Sequence, residues 1–125
     1  MRTWREEDLE AIKRADDLHI SPFRADGKTY GTPTWIWSVV VGDQLYVRAY
    51  NGRASRWYQS AVAQQAGRIR VAGLEREVSF QIVDDAGLND QIDAAYRTKY
   101  ADSPYLPPMV AEKTRAATIR ILPGT

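Results

Sequence analysis

Between Thr32 and Tyr58 the chain reads TPTWIWSVVVGDQLYVRAYNGRASRWY, and this stretch carries most of its chemical signal. Arg48, Arg53 and Arg56 lie here among Trp35, Trp37, Tyr46, Tyr50 and Trp57. Gly52 falls in a turn between a strand pattern ending at Tyr50 and a helix pattern opening at Arg56, with Ser55 at the N-cap position. Helix starts favour Asp or Glu, because free backbone N–H groups and the macrodipole make that end positive. This one carries Arg56, with Arg53 just before it and no acid to offset them. Two readings stand. Either Arg53, Ser55, Arg56 and the first N–H groups hold a phosphate or carboxylate, or both arginines face solvent, where the repulsion costs only about 0.3 kcal/mol. Tyr46, Arg48 and Tyr50 share one strand face. Such a row can clamp a flat conjugated ring, or it can be an outer barrel face covered by a helix, with Arg48 paired to a carboxylate.

Other constellations are weaker. His19 is the sole histidine, and no Ser–His–acid or metal-ligand spacing accompanies it. Asp16-Asp17 and Asp84-Asp85 flank turns and read as solvated caps. The hydroxyls of Tyr30, Tyr58, Tyr96, Tyr100 and Tyr105 could donate protons, although tyrosines so placed usually pack. The absence of cysteine removes thiolate nucleophiles, thiolate metal sites and disulfides together. No phosphate-loop, dinucleotide-fold or nucleophile-elbow spacing occurs.

The elements that must position these residues follow from the hydrophobic periodicity. With 125 residues, 44% hydrophobic and 26% charged, the chain suits one soluble domain spanning 1–125. Thr3 and Glu6 have capping-box spacing ahead of an amphipathic helix ending near Asp17. Leu18–Phe23 is a short strand that Pro22 assigns to a sheet edge. Thr34–Val41 alternates, with Trp35, Trp37, Val39 and Val41 on one face. Leu45–Tyr50 returns after Gly42-Asp43, and Arg68–Ala72 and Leu74–Val83 form a hairpin around Gly73. Helices are expected over Arg56–Ala66 and around Leu88–Lys99, with a last strand over Ala116–Leu122. SPYLPPM reads as too proline-rich for regular structure. Six strands and three short helices give an α+β fold, mainly antiparallel, which a barrel would best close. Alternation predicts one core containing Trp35, Trp37, Val39, Val47, Val71, Val78, Phe80, Ile82, Ile119 and Ile121.

DGKTYGTPTWIWSVVVGDQLYVRAYNGRASRWY resembles the start of the split β-barrel flavin-binding proteins, and their deazaflavin-dependent nitroreductase branch in particular. The shared elements are Gly27-Lys28 through Gly31-Thr32, then Leu45–Tyr50, Gly52-Arg53 and Trp57-Tyr58. Arg56 and Gln59 stand where that branch commonly has Pro and Asn. The whole chain, including SPYLPPM and RAATIRILPG, is similar to an uncharacterised bacterial family, domain of unknown function 2255. The resemblance implies a homodimeric split barrel with FMN or a deazaflavin at the barrel edge and dimer interface, the cofactor carrying the hydride. By position, Lys28, Thr32 and Thr34 would face the cofactor, and Arg53, Ser55, Arg56 and Trp57 would hold its phosphate. Arg48, Tyr50 and Gly52 complete the expected cofactor-binding set.

Two functions compete. One is a flavin- or deazaflavin-dependent oxidoreductase acting on a small conjugated substrate. The other is a cofactor-free barrel that binds a small anionic aromatic metabolite or a partner protein. Nucleic-acid binding ranks below both, since net charge is only +1. The charged N-terminal MRTWREEDLEAIKRADD lacks a secretory apolar core and no run is long enough to span a membrane, so a cytoplasmic protein is expected.

Overall fold

A computed structural model describes residues 3–124. Its elements are helix α1 (Glu6–Arg14), strands β1 (His19–Pro22), β2 (Thr34–Trp35), β3 (Ser38–Val41) and β4 (Gln44–Arg48), and helix α2 (Arg56–Gln64). Strands β5 (Ala66–Val71) and β6 (Leu74–Val83), helix α3 (Ala86–Lys99), one-turn helices α4 (Leu106–Met109) and α5 (Glu112–Arg115), and strand β7 (Thr118–Pro123) follow. The seven strands form one antiparallel sheet in the order β2-β1-β5-β6-β7-β4-β3. The fold is α+β, as expected, with three main helices.

Strand order explains why the sheet curls. Its two outermost strands, β2 and β3, belong to one run interrupted only by Ile36 and Trp37. Consecutive Cα atoms are about 3.8 Å apart, so three peptide steps from Trp35 to Ser38 span at most about 11 Å. Opposite edges of the sheet must therefore meet at this run, giving a split half-barrel. The sequence suggested an unbroken strand there and six strands in all; the break makes seven.

Local chemistry accounts for most boundaries. Ala72 and Gly73 both take positive φ (52° and 77°), the primed turn geometry that suits a two-residue hairpin loop. Although β1 is internal, β2 pairs only with His19 and Ile20, so Pro22 lies past that partner and withholds no ladder bond from it. The Thr3–Glu6 capping box does not form. Arg5 occupies the N-cap of α1, and Glu6, Glu7 and Asp8 complement the dipole directly. SPYLPPM, expected to be irregular, contains α4, because Pro107 and Pro108 sit in a first turn where a missing N–H breaks no helix bond.

The apolar residues form two clusters instead of one. Val47, Val71, Val78, Phe80, Ile119 and Ile121 join Ile12, Leu18, Ile20 and Ala61 inside the half-barrel. Val39 and Tyr46 pack outside it with Ile92, Tyr96, Tyr100 and Met109. Helix α3 covers the outer face of β3 and β4, so both faces of that hairpin are apolar. Two residues expected in the core are exposed, Trp35 at 56% and Ile82 at 53%. Strand β5 ends at Ala66 opposite Ser79, so Ile82 projects beyond it with only β7 alongside.

Candidate functional site

A cavity of about 650 Å³ opens where the two sheet edges meet. Thr34 to Trp37 form one wall, Tyr50 and Asn51 at the end of β4 another, Ser55 to Trp57 at the start of α2 a third, and Tyr105 and Met109 of the α4 region the last. Arg48 closes the floor. No Asp or Glu borders it. The size is ordinary for a small-molecule pocket.

The break at Ile36–Trp37 is stabilised by groups outside the ladder. The Ile36 N–H donates to Leu18 O (3.0 Å), and the Trp35 indole N–H to Asp16 O (2.7 Å). From α3, the Tyr96 hydroxyl donates to Trp37 O (3.0 Å) and Lys99 Nζ to Ser38 O (2.7 Å). Trp37 stacks on Tyr100 at 4.0 Å with an interplanar angle of 4°. Carbonyls that would continue a strand are thus taken by helix side chains, and Ile36 turns inward while Trp35 turns out. Burial pushes the Tyr96 hydroxyl pKa far up and that of Tyr100 up to about 12, so both remain proton donors.

Arg48 resolves the choice left open by its strand face. It is fully buried under α3, and all five N–H groups have protein acceptors. Nε donates to Thr118 Oγ1 (3.0 Å), Nη1 to Asp93 Oδ1 (2.5 Å) and Met109 O (3.0 Å), and Nη2 to Asn89 O (3.1 Å) and Oδ1 (3.0 Å). Arg115 bridges Asp93 and Asp90 alongside (2.5 and 2.9 Å). The Tyr46–Arg48–Tyr50 row is therefore not a free ring clamp: Tyr46 and Arg48 are covered, and Tyr50 alone of the three is exposed. Arg48 holds β4, α3, α4 and β7 together and leaves a ligand no donor.

Of the residues anticipated from sequence, Thr34, Arg48, Tyr50, Ser55, Arg56 and Trp57 border the cavity. Lys28, Thr32, Gly52 and Arg53 lie outside its lining. Lys28 sits in a hairpin tip organised by Asp26, which accepts from the Lys28 and Thr29 N–H groups (2.9 and 2.8 Å). The Thr29 hydroxyl bond first, then these two, hold the Asp26 carboxyl at about 2. Thr32 Oγ1 accepts from Arg24 Nη2 at 3.4 Å. Gly52 does have positive φ (72°), but the close approach it permits is to Lys113, whose Cγ would lie 2.8 Å from an added Cβ. Arg53 donates through Nε to Ala116 O (2.9 Å).

Arg56 differs from its neighbours. It is exposed at the cavity and, among the described residues, forms no ion pair. Ser55 occupies the N-cap with extended backbone, yet its hydroxyl makes no cap bond. The α2 terminus thus presents uncapped N–H groups beside one unpaired guanidinium. Met109 was missed by the sequence reading, and Tyr105 was noted only for its hydroxyl; both lie some 50 residues away in the proline-rich segment, and nothing local links them to the site. Among the described residues, no cluster of His, Asp or Glu could hold a metal, and no helix is long and apolar enough to cross a membrane.

The fold has relatives among solved structures. The conserved hypothetical protein Rv2991 from Mycobacterium tuberculosis superposes with a TM-score of 0.61 at 13% identity, over 97% of this chain and 80% of that one. An FAD and heme binding protein from Mycobacterium smegmatis gives 0.53 at 17% identity, over 96% of this chain and 65% of that one. At such identities the likeness establishes the shared fold. No curated protein gives a significant sequence match. The model of one family does match, over residues 8–121, and the chain belongs to it: DUF2255, uncharacterised proteins conserved in bacteria.

Proposed function

We propose that the cavity binds a flat, conjugated, anionic cofactor, FMN or a deazaflavin, and that the protein is a cytoplasmic oxidoreductase for a small conjugated substrate. One observation carries the reading. Trp35, Tyr50 and Tyr105 are large aromatics left 56%, 48% and 62% exposed, and all three border this one cavity. Exposed large aromatics are costly to solvate and mark binding surfaces when they cluster. Trp37 and Trp57 extend the aromatic wall inward.

The residues present fit such a group. The aromatic walls match a ring system, and the acid-free lining suits an anion. Arg56 and the uncapped N–H groups of α2 would hold a phosphate or carboxylate, while the Arg48 network fixes the walls on α3 and α4. When bound, the cofactor would supply hydride transfer, for which this chain has no evident side-chain substitute. The Trp37–Tyr100 stack would keep water from the inner end of the cavity. The fold shared with an FAD and heme binding protein supports the flavin class without naming the cofactor.

Visible absorption spectra of the purified protein, recorded before and after adding FMN or a deazaflavin, test the proposal. A shifted, structured cofactor band with quenched tryptophan emission is expected for one of them. Unchanged spectra with both would leave a cofactor-free barrel as the better account.

A further inference from the structure

At the opposite end of β4 and α2 from the cavity, a second groove of about 530 Å³ opens on the sheet. It shares no lining residue with the cavity, and no Asp or Glu borders it. Arg120 is its one charged lining residue. Gln81, Arg120 and Tyr46 are partners in register across β6, β7 and β4, so their side chains share one face.

Arg120 is half-buried and forms no ion pair among the described residues. Tyr46 Oη accepts from both its Nε (3.3 Å) and its Nη2 (3.2 Å), and Gln81 Oε1 accepts from Nη1 (3.4 Å). Its Cζ lies 5.5 Å from the Tyr46 ring centroid. These contacts hold the guanidinium in place and engage three of its five N–H groups. The Tyr46 hydroxyl is already an acceptor twice over. It donates to nothing among the described residues, although Tyr46 is only 2% exposed. Two N–H groups and a buried O–H therefore stand together without an acceptor. The carboxylates that flank the groove in sequence are engaged elsewhere: Glu77 accepts from the Tyr30 hydroxyl (2.8 Å), and Asp43 from Gln44 Nε2 (3.4 Å). A fixed cation in a donor-rich, acid-free recess is satisfied by a ligand that brings acceptors and negative charge.

We infer that this groove binds a small carboxylate that also carries an amide and a short apolar chain, the chemistry of an N-acyl amino acid. The carboxylate takes the free N–H groups of Arg120 and relieves the donor surplus that Arg120 and Tyr46 share. Gln44 Oε1, buried at the groove without a donor, provides an acceptor for the amide N–H. The exposed side-chain amide of Gln65 can donate to the acyl oxygen, and Phe80 and Leu122 supply apolar wall for the chain. A free amino acid fits worse, because its ammonium group meets no acid in the lining.

The test is calorimetric titration of the purified protein with N-acetyl-leucine, N-acetyl-leucinamide and leucine. Saturable binding of the acid is expected, with the amide and the free amino acid at least about tenfold weaker, the worth of one charge-assisted contact. Arg120→Gln should weaken binding of the acid about tenfold to a hundredfold. Arg120→Lys guards against a folding defect: it keeps the charge but loses the planar fork, and should weaken binding about threefold to tenfold. Equal binding of acid and amide would overturn the inference, as would no binding of the acid at millimolar concentration. So would an Arg120→Lys affinity equal to wild type, which would leave Arg120 as a cap over Tyr46.

Discussion

Three arginines that look alike in sequence have three different positions. Arg48 is buried and saturated, Arg53 is bonded to Ala116 O, and Arg56 stands unpaired at the cavity. Arg56→Ala should therefore weaken binding of a flavin nucleotide about tenfold to a hundredfold, the worth of one charge-assisted contact, as calorimetric titration would show. Arg53→Ala should leave affinity within about twofold. Arg48→Met should act on stability, because it leaves Asp93, Asn89 and Met109 O short of donors in a dry site; a loss of about 3–5 kcal/mol in denaturant unfolding is expected. The strand face of Arg48 was legible in sequence. Its partners were not, since Asp93 and Thr118 lie 45 and 70 residues away and several carboxylates competed for the role. Lys99 gives a stability prediction with a definite sign. Its folded pKa, about 8, is below the ordinary 10.5, so the folded state bears a charge-burial cost at neutral pH that disappears as pH rises through that interval. Lys99→Met should gain stability over wild type at pH 7 and lose that gain by pH 10.

Among the elements, those governed by local chemistry were the ones the sequence described well. The β5–β6 hairpin and the β3–β4 turn follow from Gly73 and Gly42-Asp43, and α2 starts after Ser55 as its sequence position suggested, although the Ser55 hydroxyl makes no cap bond. The break in Thr34–Val41 was hidden, because alternation continues unbroken through Ile36 and Trp37 and the cause lies in the Tyr96 and Lys99 side chains of α3. Helix α4 was hidden by its own prolines. The turn at Gly52 was legible in sequence, but the object it approaches, Lys113, could come only from tertiary structure. A double-mutant cycle separates the two effects there. Gly52→Ala should destabilise by about 1–3 kcal/mol through left-handed strain and crowding. Adding Lys113→Ala should recover the crowding part alone, so partial rescue is expected in thermal unfolding.

At the scale of the molecule, α3 converts a one-sided sheet into one with apolar packing on both faces at β3 and β4, which is why alternation assigned Val39 and Trp37 to the wrong cluster. The rim of the cavity is left open, with Trp35, Tyr50 and Tyr105 uncovered. We propose that a second copy of the chain covers it in a homodimer, since large aromatics are typical of interface centres. Sedimentation at tens of micromolar should give a dimer, and Tyr105→Glu should shift the population toward monomer; a monomeric wild type would end the proposal.

The run from Thr34 to Val41 also acts as a ruler. Because it serves both edges of the sheet, its length must match the gap around the barrel, not the length of either partner strand. Side chains alternate with a period of two, so deleting one residue at Ile36–Trp37 would exchange inward and outward positions on one side of the join. A tryptophan would then be driven into the half-barrel, or β3 would slip against β4. Insertions and deletions that a surface loop would absorb should be forbidden at this seam, which makes the cavity wall the least length-tolerant stretch of the chain.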